Sequence, residues 1–71
     1  MDRVTAVALF ARIVESGSFS KAAAEFGITQ PTATKAVAAM EARLGARLLH
    51  RTTRGVSPTE VGTLYYERCK A

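Results

Sequence analysis

The side chains able to do covalent chemistry are few, and their spacing speaks against catalysis. His50 is the one histidine and Cys69 the one cysteine, so an internal disulfide and a multi-cysteine metal cluster are both ruled out. No second ligand stands at a metal spacing from His50, no two carboxylates form a pair suited to acid–base work, and no nucleophile has a base at a useful distance. His50 reads as a surface or packing residue and Cys69 as a small apolar one.

The sequence does group hydrogen-bonding chemistry between positions 30 and 35, where Gln30, Pro31, Thr32, Thr34 and Lys35 bring an amide, hydroxyls, an apolar ring and a cation together. Such groups match the edges of bases. Glutamine pairs with adenine, lysine reaches guanine or a phosphate, threonine meets either, and a proline ring packs on a thymine methyl. Arg51 and Arg54 follow at a short remove. The net charge of +4 is concentrated in the same stretch: Lys35, Arg43, Arg47, Arg51 and Arg54 face Glu41 alone between residues 31 and 54, whereas the segments on either side are balanced. Cations gathered in this way suit a duplex, because each one near a phosphate releases condensed counterions. A competing reading gives Arg47 and Arg51 to surface pairing with Glu41 or Glu60.

The elements that position these groups are mostly helical. Val4, Val7, Phe10, Ile13 and Val14 form a stripe on a first helix from about Asp2 to Glu15, which Ser16-Gly17-Ser18 ends. Ser20 is the expected N-cap of a short second helix with Ala22, Ala23 and Phe26 inward, closed by Gly27. Thr29 caps a third helix, with Pro31 in the first turn, where amides lack intrahelical partners. Its buried stripe is Ala33, Val37, Met40 and Leu44, and Gly45 stops it.

Leu48 to Thr52 then reads as a strand, Thr53-Arg54-Gly55 as a turn and Val56-Ser57 as a returning strand. This hairpin is the candidate wing. Ser57 or Thr59 caps a fourth helix bearing Val61, Leu64, Tyr65 and Cys69 on one side. The expected fold is mainly α: a winged helix-turn-helix with a three-helix core, a two-stranded β wing over residues 1–58, and the start of a further helix at 59–71.

At 71 residues the chain has room for one small domain held by packing. No apolar run approaches membrane-spanning length and no cleavable signal pattern opens the chain, which leads to an expected cytoplasmic location without membrane contact.

The run SGSFSKAAAEFGITQPTATKAVAAMEARLGARLLHRTTRGVSPTEVG resembles the N-terminal domain of LysR-type transcriptional regulators. Its most specific pieces are Gly17 to Ser20 with Ala22-Ala23, Gln30-Pro31, the segment EARLG from Glu41, the strand at Leu48 to Arg51, and Thr59 to Gly62. The resemblance implies a bacterial regulator whose third helix reads the major groove of a double-stranded operator and whose wing meets the minor groove or backbone. It assigns DNA contact to positions matching Gln30, Pro31, Thr32, Thr34, Lys35 and Arg54, to which Arg51 is added from its charge.

It further implies that the fourth helix pairs two subunits through Val61, Leu64 and Tyr65, giving a homodimer or tetramer of the full-length protein. Family members carry a C-terminal domain for a small-molecule effector, so this chain is expected to be a fragment that needs no cofactor. Lys35 stands where the family commonly has arginine, and Ala33 where a branched aliphatic is usual. A different class of function, a winged-helix module that holds a protein partner through the Leu64 and Tyr65 face, fits the same elements.

Overall fold

Three helices begin on a side chain that accepts a backbone amide from three residues further on: Asp2 from Thr5, Ser18 from Lys21 and Thr29 from Thr32. Each thereby satisfies one of the amides that a helix start leaves without a partner. The computed structural model describes residues 1–70. These caps introduce α1 (Arg3–Ser16), α2 (Phe19–Glu25) and α3 (Gln30–Leu44), followed by β1 (Leu49–Thr52), β2 (Gly55–Pro58) and α4 (Glu60–Lys70). The cap of α2 is Ser18 and not Ser20, because starting two residues earlier makes Phe19 the first helical residue and turns its ring into the core. The open choice at α4 falls to Thr59, whose hydroxyl accepts from the Gly62 amide at 2.9 Å and donates to the Arg47 carbonyl at 2.7 Å. Ser57 is instead paired with His50 in the hairpin.

The core is one cluster built from Leu9, Phe10 and Ile13 of α1, Phe19, Ala22 and Ala23 of α2, Ala33, Val37 and Met40 of α3, and Leu48 and Leu49 beside the wing. Of the expected members, Val7, Val14 and Phe26 pack against it half-buried, and two others are exposed. Val4 is 79% exposed; Ala6 faces inward in the first turns of α1, and two residues along a helix is a rotation of about 200°. Leu44 is 48% exposed, since the chain leaves α3 at Gly45 and the buried leucines of this region are Leu48 and Leu49.

The wing is an antiparallel pair in the register Leu49 with Pro58, Arg51 with Val56 and Thr52 with Gly55. It starts at Leu49, one residue later than the sequence reading. It is fixed at its base and again near its turn. The Glu41 carboxylate accepts from the amides of Leu48 at 2.7 Å and Leu49 at 3.4 Å, and the Val56 amide donates to the Gly17 carbonyl at 3.2 Å. Glu41, placed in the sequence among surface charges, thus terminates backbone groups that the ladder leaves open.

α4 crosses so close to this base that Gly62 is buried against it. A Cβ at Gly62 would lie 2.0 Å from the Leu48 carbonyl oxygen. That contact sets the rotation of α4. Tyr65 turns inward, its ring edge-on to Phe10 with centroids 5.6 Å apart, whereas Val61 and Leu64 face solvent at 47% and 59% exposure. The expected single stripe of Val61, Leu64, Tyr65 and Cys69 is therefore divided, with Tyr65 part of the domain's own packing.

A polar network that sequence reading did not find ties α1 to α2 and α4. Arg12 donates to both oxygens of Glu25 at 2.8 and 3.0 Å and to Glu15 at 2.8 Å, and Tyr66 donates its hydroxyl to the other oxygen of Glu15 at 2.6 Å. The Tyr66 hydrogen bond and then Arg12 hold Glu15 below its ordinary carboxylate value, and Arg12 does the same for Glu25.

Stability from this network is complete above the ordinary carboxylate value of 4.5 and is lost as pH falls through the lowered ones. Thermal melts of the native chain are therefore expected to lose melting temperature progressively below that value, and Arg12→Ala to flatten part of this acid limb. An acid limb identical in the two proteins would show that the network contributes nothing to folding.

Candidate nucleic-acid interface

The outward face of α3 follows from its inward one. Once Ala33, Val37 and Met40 point into the core, Gln30, Pro31, Thr32 and Lys35 must project from the N-terminal half, and all four are exposed. Further along, Ala38, Ala39 and Ala42 are also exposed, so the face stays slim beyond its polar end. The turn that presents this helix is made by Gly27 in the left-handed region at φ 68°, followed by Ile28, whose amide donates back to the Ala23 carbonyl at 3.0 Å. Only glycine takes that conformation without a steric cost from Cβ. Ala23, 2% exposed, keeps the space between the second and third helices small.

The hairpin brings its cations to the same end of the molecule. Gln30, Ser20, Arg51 and Arg54 line one open depression between the start of α3, the start of α2 and the wing, and no carboxylate lines it. Arg54 is exposed in the turn, its amide held by the Thr52 hydroxyl at 3.2 Å. On the opposite flank of α3, Thr32 and Lys35 share a second depression with Arg3 and Arg43. The five positions Gln30, Pro31, Thr32, Lys35 and Arg54 are thus exposed on the surface, the Thr32 hydroxyl sharing a 2.9 Å hydrogen bond with that of Thr29.

Thr34 and Arg51 behave differently. Thr34 is half-buried, and its hydroxyl oxygen accepts from an Arg51 guanidinium nitrogen at 2.8 Å. The same guanidinium lies over the Phe19 ring, 4.2 Å from its centroid. Of the two ion pairs weighed for the basic segment, Arg47 does approach Glu41, at 3.6 Å, while Arg51 pairs with neither Glu41 nor Glu60.

Ser20 and Arg3 at these depressions were not among the candidate residues, and Arg43 was counted only within the basic segment. The signal for Ser20 was Phe19 itself, whose burial requires the helix to begin at Ser18 and so releases Ser20 to the surface. Arg3 had no signal, since nothing local links the start of α1 to the flank of α3. Among the described residues no three His, Cys, Asp or Glu side chains gather as a metal site, and no helix is long and apolar enough to cross a membrane.

A helix-turn-helix presented by a three-helix core and followed by a β-hairpin at the same end defines the winged helix-turn-helix class. Residues 4–63 match the family described as "Bacterial regulatory helix-turn-helix protein, lysR family", and the chain belongs to that family. It is 43% identical over 70 residues to an uncharacterised HTH-type transcriptional regulator of Haemophilus influenzae, covering 99% of this chain and 24% of that protein. It is 48% identical over 62 residues to an HTH-type transcriptional regulator of Xanthomonas campestris, covering 87% of this chain and 18% of the other.

Among solved structures, the BenM DNA-binding domain in complex with the catB site 1 DNA superposes with a TM-score of 0.90 at 33% identity, covering 99% of this chain and 77% of that one. The CbnR DNA-binding domain in complex with DNA gives 0.89 at 31%, covering 99% and 79%. The chain therefore spans about a quarter or less of the length of these curated relatives.

Proposed function

We propose that this chain binds double-stranded DNA with sequence preference and forms the operator-binding part of a transcription regulator. The observation that carries the reading is the shared depression in which Gln30 of α3 and Arg54 of the wing face outward together without an acidic neighbour. Solved relatives support it, since the BenM and CbnR domains were crystallised in complex with DNA. In this reading the N-terminal half of α3 enters a major groove about 12 Å wide, where its exposed alanines permit close approach. Gln30 pairs with an adenine edge, Lys35 with guanine or phosphate, Thr32 with phosphate, and the Pro31 ring with a thymine methyl. Arg54 reaches the flanking minor groove or backbone. Amides at the start of α3 add a phosphate contact independent of side chains.

The longer protein is expected to act in the bacterial cytoplasm as a dimer or tetramer, with its effector bound outside this chain and no catalytic step within it. From residue 59, α4 opens the connection through which subunits pair, and the exposed Val61 and Leu64 suit such a contact. The alternative of a protein-partner module loses ground because Tyr65 is committed to Phe10.

Selection of bound duplexes from a random pool at near-physiological salt tests the reading. An inverted repeat is the expected product, and Gln30→Ala is expected to relax preference at one A·T pair by about tenfold. A pool that emerges without enrichment would sink the proposal.

A further inference from the structure

Arg51 lines the depression with Gln30 and Arg54, yet its guanidinium is already engaged within the domain. Arg51 spends one face of its guanidinium on the Phe19 ring at 4.2 Å and one N–H on the Thr34 hydroxyl oxygen at 2.8 Å. These contacts join the wing to the first residue of α2 and to the second turn of α3. A guanidinium stacked on an aromatic face and hydrogen-bonded through its fork is held in one orientation, which a lysine ammonium would not be. The hydroxyl it touches is thereby restricted as well. A threonine hydroxyl has one hydrogen and two lone pairs, and Arg51 can only donate. Arg51 fills one lone pair, and its charged donor polarises the O–H, so the Thr34 hydrogen, which has no acceptor among the described residues, becomes the stronger group to be offered over the remaining lone pair.

We infer that Arg51 is a positioning residue for base recognition: by donating to Thr34 it biases that hydroxyl toward donation, so that α3 favours an acceptor on the facing base edge over an amine. This rests on the DNA-binding reading above and adds to it the part of a side chain that touches neither base nor phosphate. In the major groove the acceptors are guanine O6 and N7, adenine N7 and thymine O4, and the disfavoured partners are the exocyclic amines of cytosine and adenine. The alternative is that Arg51 leaves Phe19 and neutralises a phosphate, which carries no base information.

The two are separated by measuring affinities of the 71-residue chain for its selected duplex and for each single-base variant of it, across a salt series. Thr34→Val keeps the shape and removes the hydroxyl; Arg51→Gln removes the cation. Both are expected to lose about five- to tenfold of discrimination at the same base pair, the magnitude of one hydrogen bond. The double variant should lose no more than either alone, because the two act as one unit. Thr34→Ser, which restores a hydroxyl, should recover the preference while Arg51 is present and not when it is glutamine.

The salt slope of Arg51→Gln should equal that of the native chain. A slope shallower by about one, with affinity lost uniformly over all duplexes, would assign Arg51 to a phosphate and overturn the inference. Discrimination left intact in Thr34→Val, whose fold does not depend on the cation–π contact, would overturn it too. If the native chain selects no duplex at all, it is the DNA-binding reading that has failed.

Discussion

Gly62→Ala is expected to destabilise the chain by more than about 3 kcal/mol, although the substitution sits inside a helix, where replacing glycine by alanine ordinarily stabilises by about 1 kcal/mol. The sign is reversed by one contact. The new methyl would lie 2.0 Å from the Leu48 carbonyl oxygen and 2.9 Å from its carbon, both backbone atoms at the base of the wing. No rotamer change relieves a clash with backbone, so α4 must lift away. That separates Tyr65 from Phe10 and strains the Thr59 link to Arg47. Overpacking usually costs about 1–3 kcal/mol where side chains can give way, and here they cannot.

A chain of this length has about 4–10 kcal/mol of stability in all. The melting temperature should accordingly fall by more than about 12 °C. Gly27→Ala is the control. Unlike the helical Gly62 it has positive φ, at 68°, and nothing lies within 4 Å of its Cβ, so it should lose only the left-handed penalty of about 1–2 kcal/mol. If Gly62→Ala melted at or above the native temperature, the close crossing of α4 over Leu48 would be wrong.

The second large effect is on binding. Raising salt from 50 to 200 mM should weaken the complex with duplex DNA by roughly 150-fold, the result of a log–log slope of about −3.6 if about four phosphates are neutralised. The cations placed to supply this are Lys35 and Arg54, which are exposed, with Arg3 and Arg43 on the outer flank of α3. Lys35→Ala or Arg54→Ala should each make the slope shallower by about one.

Arg47→Ala should not, because Arg47 approaches the Glu41 carboxylate at 3.6 Å and donates to the Leu49 carbonyl at 3.4 Å, at the base of the wing rather than its tip. Fluorescence anisotropy on a labelled duplex over a salt series reads all four slopes. A slope near zero for the native chain would remove the electrostatic basis of the proposed function.

Local signals in the chain sufficed wherever a structural decision is local. Thr29 as a cap, Pro31 in a first turn, and glycine at 27 and 45 in left-handed geometry depend on the backbone within a few residues, and each was legible. The inward residues Ala33, Val37 and Met40 were legible for the same reason, and by fixing one face of α3 they fixed the opposite face that carries Gln30, Thr32 and Lys35. The charge excess between residues 31 and 54 falls on the segment that supplies Lys35, Arg43, Arg51 and Arg54 to the two depressions.

What lay beyond the sequence is what distant segments do to one another. Ser18 prevails over Ser20 because Phe19 is needed in the core. Val61 and Leu64 turn outward because Gly62 must meet Leu48, from which thirteen positions of chain separate it by no local rule. Arg51 and Thr34 sit seventeen residues apart and Tyr66 and Glu15 fifty-one apart, yet each pair is in hydrogen-bond contact. Periodicity and capping record the preferences of a single helix or turn. Which side chains end up as partners is decided only when helices cross and the hairpin docks, because that is when the space between them, and hence the choice of neighbour, comes into existence.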